Sequence, residues 1–282
     1  MENKDGTWEW IEHIHETTGK QWLLETFQRT ARQLGRFQSA YSGGTALPER
    51  PWLCRPFFRS TWAEEDGWTG FMNPAPEENA WKPPIVQGAF SDGQKSRVLQ
   101  LIAEKKRFFD INDRLPQVLC HNNAHRRNFM WSRSPQNGDF HHPQTGEEEL
   151  VGVGWAFTGP GALGNDLSEL VGSSMYFCDY DPYDAETLEA ALLDGYIAGI
   201  ASSGASIDPR LVRLGYLIGL SFWMGAILPG WAAYMLPPES GVNVPAMYGH
   251  SVEEVLAGWV QLDAFCLDRV DEMRSLIYRL GL

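Results

Sequence analysis

From Leu214 to Leu236 the chain reads "LGYLIGLSFWMGAILPGWAAYML", a run without a single charge. A run of about 20 apolar residues can cross a bilayer as a helix. It must therefore be buried, either in lipid or in the middle of a protein core. Pro229 and several glycines interrupt it, and no second span of its kind occurs in the chain. The sequence therefore predicts a buried core helix rather than an anchor. The N-terminal "MENKDGTWEWIEHI" carries charges where a signal peptide would have its apolar region, so the expected location is the cytoplasm. At 282 residues and 43% hydrophobic content the chain can bury a substantial core, and it is read as one domain over residues 1–282.

Charge narrows the partners. With 36 acidic against 23 basic residues the net charge is -13, and the only adjacent basic pair inside the chain's polar loop is Arg126-Arg127. Nucleic-acid backbones and anionic membranes are not expected partners. Cys54, Cys120, Cys178 and Cys266 lie far apart without a C-x-x-C pair, which argues against a zinc ribbon, a redox motif or a disulfide framework. They read as reduced core residues.

Most of the periodicity is helical. "KQWLLETFQRTARQLGRFQSAYSGG" places Trp22, Leu23, Phe27, Ala31, Leu34, Phe37, Gln38 and Tyr41 on one face and stops at Gly43-Gly44. Proline-punctuated turns follow, with a short helix after them, and residues 70–90, with Pro74, Pro76, Pro83 and Pro84, are expected as loop. Ser91 to Asp113 is predicted to be a second long helix, capped by Ser91 and carrying Val98, Leu101, Ile102 and Phe109 inward. "NFMWS" and "ELVGVGWAF" read as a hairpin around a polar turn. Three more helices are expected: one begins at an Asp N-cap in "DAETLEAALL", one has a first-turn proline in "DPRLVRLGYL", and one is serine-capped from "SVEEVLAGW" to the end.

The stretch with most chemistry is "LCHNNAHRRNFMW", residues 119 to 131, where two histidines, three asparagines and two arginines sit between apolar flanks. Polar loops held at the edge of a core are where function concentrates. The element order around it, with "HNNAHRRN" followed by a hairpin and "VGVGWAFTGPGALGNDLSEL", resembles the C-terminal lobe of the aminoglycoside phosphotransferase and choline kinase family. The resemblance implies a mainly helical, protein-kinase-like lobe with a small β-hairpin and no N-terminal lobe. Residues 1–14, around "TWEWIEHI", would be a remnant of the hinge strand.

The same resemblance implies roles. His121 and Asn128 fall on the family's catalytic-loop pattern, Trp155 on its second motif, and Asp166 on the position that braces the loop's backbone. The catalytic carboxylate of the family falls on Asn123, and the metal-binding one falls on Gly154. Phosphoryl transfer needs a carboxylate to orient the attacking hydroxyl and another to hold magnesium. An amide and a bare glycine supply neither, so no cofactor is expected and ordinary kinase activity is not.

Three readings of the loop remain. Its polar residues satisfy buried backbone groups; or they form a repurposed small-molecule site; or a residual phosphotransfer persists. In the second, His121, Asn123, His125 and Asn128 supply hydrogen bonds or a proton relay near neutral pH, with Arg126, Arg127 and Trp155 holding a ligand. Twelve tryptophans and the acidic surface suit an apolar or cationic molecule. A regulatory or scaffold module that binds a protein partner is the alternative. A metal held by His121 and His125 with His141 or His142 would need a helical H-x-x-x-H, which the asparagines disfavour. Asp179, Asp181 and Asp184 in "DYDPYD" read as a solvated turn ahead of a helix.

Overall fold

The computed structural model describes residues 8–10, 20–42, 46–53, 57–62, 78–132 and 149–282. Strand β1 (Trp8–Trp10) lies within the segment 1–14 expected as a hinge-strand remnant, the rest of which falls outside the described residues. Helix α1 (Lys20–Ser42) buries Leu23, Phe27, Ala31 and Leu34 on the expected face. The expected stop at Gly43-Gly44 and Cys54 are outside the described residues. A short helix, α2 (Phe57–Thr61), follows the proline-punctuated turns.

Two sequence expectations are corrected in the next stretch. The segment 70–90 is not loop where it is described: Glu78–Trp81 forms a 3-10 turn and Pro84–Ala89 forms helix α3. Its prolines sit where a helix tolerates them, Pro83 at the N-cap and Pro84 in the first turn, since neither position has an intrahelical N–H bond to lose. The long helix expected from Ser91 to Asp113 is two, α4 (Asp92–Ala103) and α5 (Lys105–Asn112), divided at Glu104. Ser91 does cap α4, in a reciprocal box with Gln94. The division at Glu104 lets both Phe108 and Phe109 pack on Phe222, with ring centroids 6.2 and 4.7 Å away.

Four short strands come next: β2 (Gln117–Cys120), β3 (Phe129–Ser132), β4 (Leu150–Gly152) and β5 (Gly159–Ala162). They form two antiparallel sheets, one ordered β1-β3-β4 and one pairing β2 with β5. The turn of the β3-β4 hairpin, with His141 and His142, is outside the described residues.

The rest is helical: α6 (Asn165–Tyr176), α7 (Ala185–Ser202), α8 (Pro209–Leu220), α9 (Leu228–Met235), α10 (Val244–Tyr248) and α11 (Val252–Leu280). Asp184 stands at the N-cap of α7 without a side-chain bond. The capping carboxylate is Asp181, which accepts the Tyr183 N–H at 3.0 Å on the preceding 3-10 turn. Helix α8 has Pro209 in its first turn, as the sequence predicts, and Asp208 caps it.

The uncharged run is buried, but in pieces. Helix α8 ends at Leu220, Ser221–Gly225 widens into a π-helical turn, and α9 restarts at Leu228 with Pro229 in its first turn. A proline deep inside a helix would lose a hydrogen bond and strike the carbonyl four residues back, so the chain restarts just ahead of it. Pro209–Met235 is long and apolar enough to cross a membrane, yet 83% of its most apolar window is buried inside the protein itself.

Two packings position the loop. Helices α1 and α7 approach backbone to backbone, because a Cβ at Gly199 would strike the Arg32 carbonyl oxygen and one at Gly35 the Tyr196 carbonyl oxygen. That closeness brings Gln38 of α1 and Tyr196 of α7 together, with the Tyr196 hydroxyl donating to Gln38 Oε1. On the other side α11 presents Val255, Trp259, Leu262, Cys266, Val270, Met273 and Ile277 at spacings of three and four, and packs against α8, α6 and α4.

Candidate functional site

The loop leaves β2 at Cys120 and alternates. His121, Asn122 and Ala124 are buried, while Asn123 and His125 are half-buried and Arg127 is exposed. The buried residues are held through their backbone from beneath by the first turns of α6. Asp166 accepts the His121 N–H at 2.7 Å and the Asn122 N–H at 2.8 Å, and Gln38 donates to the same carboxylate at 2.7 Å. Glu169, one turn further along α6, accepts the Ala124 N–H at 2.5 Å. Asn122 takes a left-handed conformation, φ 55°, which asparagine tolerates better than most side chains. Its amide donates to the Phe157 carbonyl at 2.9 Å.

The two histidines of the loop face different ways. His121 Nε2 donates to the Val153 carbonyl at 2.8 Å, and Nδ1 has no partner among the described residues. Its ring packs on Trp155, with centroids 4.4 Å apart. His125 lies on the outer side near the Phe177 ring, where its Nδ1 faces the Arg127 N–H at 3.3 Å and its Nε2 faces Asn128 Nδ2 at 3.2 Å.

Beside the outer residues lies a cavity of about 400 Å³. Asn123, His125 and Arg127 form one wall, and Glu169, Ser173 and Tyr176 of α6 form the floor. Trp223 and Met224 of the π-turn, Ile227, Trp231 and Met235 around α9, and Met247 and Tyr248 of α10 complete it with apolar surface. The back is fixed by a chain of contacts: Tyr248 donates to the Tyr176 hydroxyl at 3.1 Å, and Tyr176 stacks on Trp259 at 4.7 Å. Arg127 lies over the Phe177 ring at 4.6 Å.

Burial sets the charges. The His125 ring is pushed down to about 4, by burial first and then by the charges of Arg127, His121 and Arg126. The Arg127 N–H donating to its Nδ1 also favours the neutral ring. Asp166 is pushed up by burial, against the charge of His121 and three N–H donors that favour its ionised form. Glu169, also buried, is held well above the usual carboxylate range by burial and by the neighbouring Asp166, against a single backbone donor.

Several sequence expectations are placed differently. His121 does not join Asn123 and His125 on one cavity wall, because its ring is turned to Val153 and Trp155. His125 is neutral at pH 7 and too weak a base for a proton relay near neutrality. Trp155 is not at this cavity. It borders a separate groove of about 360 Å³ with Phe37 and Phe129, and its indole donates to the Gly152 carbonyl at 2.8 Å. Arg126 is sequestered in an ion pair with Asp179, both side chains largely buried, so Asp179 is tied to the loop, while Asp181 and Asp184 of the "DYDPYD" turn are exposed as expected. Asn128 acts within the loop, its amide donating to the Asn123 carbonyl at 2.7 Å. Gly154 sits against it: a Cβ there would lie 3.0 Å from Asn128 Oδ1, on a backbone with φ +77°.

Glu169 and Ser173 went unread in the sequence. Their signal was spacing, since residues three and seven positions beyond Asp166 on a helix share its face. No protein-family model matches this chain, and no curated protein matches it.

Proposed function

We propose that the chain is a small-molecule-binding protein whose ligand occupies the cavity beside Asn123 and His125, on a scaffold related to the C-terminal lobe of the phosphotransferase fold and without kinase activity. The single observation that carries this reading is the cavity itself. It is of ligand size, mainly apolar, and has a few converging polar side chains on one wall and the floor. A scaffold role would be better served by a loop packed shut.

The fold relationship is supported by the strand, loop and hairpin order, by Asp166 accepting two loop N–H groups, and by Gly154 lying against Asn128. Those last two positions would hold magnesium in a working phosphotransferase, and here one has no side chain.

The test is metabolite capture by the purified chain, with Asn123→Ala and His125→Ala as controls, alongside calorimetry with magnesium and ATP. The expected outcome is a small molecule retained by the wild type and lost from both variants, with no measurable ATP binding. Micromolar ATP affinity, or identical capture by all three proteins, would overturn the reading.

A further inference from the structure

Ser173 is the odd polar group of this cavity. It is 4% exposed and lies on the floor, yet its Oγ has no hydrogen-bond partner among the described residues. A helical serine ordinarily returns its hydroxyl to the carbonyl four residues earlier. The adjacent Ser174 does so, donating to the Leu170 carbonyl at 2.6 Å. A buried hydroxyl without a partner is costly and calls for an occupant that completes it.

One turn before it, Glu169 faces the same space, with Oε2 taken by the Ala124 N–H. Burial and the neighbouring Asp166 raise its carboxyl well above the usual range, which favours the acid form with an O–H to give. A carboxylic acid kept neutral by an apolar site acts as a hydrogen-bond donor at pH 7. Asn123 can donate as well. The charged side chain on the cavity's wall, Arg127, is positive, and His125 is neutral. A cation entering this space would meet the positive Arg127 on the wall and a Glu169 whose acid form is favoured, and burying an unpaired charge is strongly disfavoured.

We infer that the cavity receives an apolar molecule through an oxygen acceptor, a carbonyl or a carboxylate, hydrogen-bonded by Glu169 and Ser173, and that it excludes cations. The inference rests on the small-molecule reading above and reverses the charge that the acidic composition favours.

The test uses one aromatic body with three ends: 2-naphthylacetate, 2-naphthylacetamide and 2-(2-naphthyl)ethylammonium, titrated calorimetrically into the full chain. The acetate and acetamide should bind at least about tenfold more tightly than the ammonium. Ser173→Ala should weaken both by about three- to tenfold without lowering the melting temperature, because the hydroxyl it removes bonds nothing among the described residues. Glu169→Gln, which keeps an N–H donor and an acceptor for Ala124, should stay within about threefold of the wild type. Preference for the ammonium, or full affinity in Ser173→Ala, would overturn the inference and leave the small-molecule reading standing. Binding of none of the three up to millimolar concentration would overturn both.

Discussion

The inner and outer sides of one loop follow opposite rules. On the inner side, His121, Asn122 and Ala124 give their backbone N–H groups to two carboxyl groups of α6, and the His121 and Asn122 side chains end on carbonyls. On the outer side, Asn123, His125 and Arg127 border a cavity whose floor keeps a hydroxyl with no partner among the described residues. The first arrangement is what a buried backbone requires of any fold. The second is what a fold does not require, and it is where a ligand has room. The polar content of the stretch therefore divides into two jobs, residue by alternate residue.

The largest effect expected is on the inner side. Asp166→Ala removes the acceptor of the His121 and Asn122 N–H groups and of the Gln38 amide, at about 1 to 3 kcal/mol for each buried donor left unpaired. Against a total stability of about 5 to 15 kcal/mol, such a loss approaches global unfolding. Thermal denaturation should show the melting transition fall steeply or vanish. A transition within a degree or two of the wild type would mean that the loop does not depend on α6, and the division between its sides would collapse.

How much of this was legible differs between the same two sides. Helix starts at Ser91, Asp208 and Ser251, and the burial of the uncharged run, follow from local chemistry that sequence displays. The break at Glu104 and the helix at Pro84–Ala89 depend on what packs around them, so neither periodicity nor proline content announces them. Asp166 carried a positional signal through the family resemblance. Ser173 shares a helix face with Asp166 by spacing, but a serine in a helix reads as bonded to its own backbone until its neighbours are seen. The direction of each histidine is likewise tertiary: Val153 and Trp155 turn His121 inward, and Phe177 receives His125 outside.

A second test uses pH. Burial pushes the His125 ring down to about 4 in the folded chain, from an ordinary value of 6.5. Below 6.5 the unfolded chain takes up a proton that the folded chain refuses, so the stability due to a neutral His125 is present above that pH. It is lost as pH falls toward 4. The full loss is about 3 kcal/mol, an upper limit for a ring that is only partly buried. Glu169 works with the opposite sign, its raised proton affinity favouring the folded state at low pH and losing that contribution as pH rises. The two contributions offset each other in the wild type, so the informative quantity is the difference between wild type and His125→Asn. Urea unfolding at pH 7 and pH 4.5 should show the wild type losing more stability than the variant. Equal losses would place His125 in solvent rather than against Phe177.

The finest discrimination is between two asparagines five positions apart. Asn128 does its work with its side chain, whose amide donates to the Asn123 carbonyl at 2.7 Å. Asn123 does its folding work with its backbone, since that carbonyl also accepts the His125 N–H at 3.0 Å. Its side chain borders the cavity. Alanine at 128 therefore removes a hydrogen bond worth about 1 kcal/mol, whereas alanine at 123 keeps both bonds and should shift stability by no more than about 0.5 kcal/mol. Urea midpoints of the two variants should separate accordingly, and naphthylacetate binding should fall in Asn123→Ala although its fold is the less disturbed. If Asn123→Ala proves the less stable of the two while still binding the probe, its side chain belongs to the inner side of the loop, and the alternation between bracing and binding does not extend to residue 123.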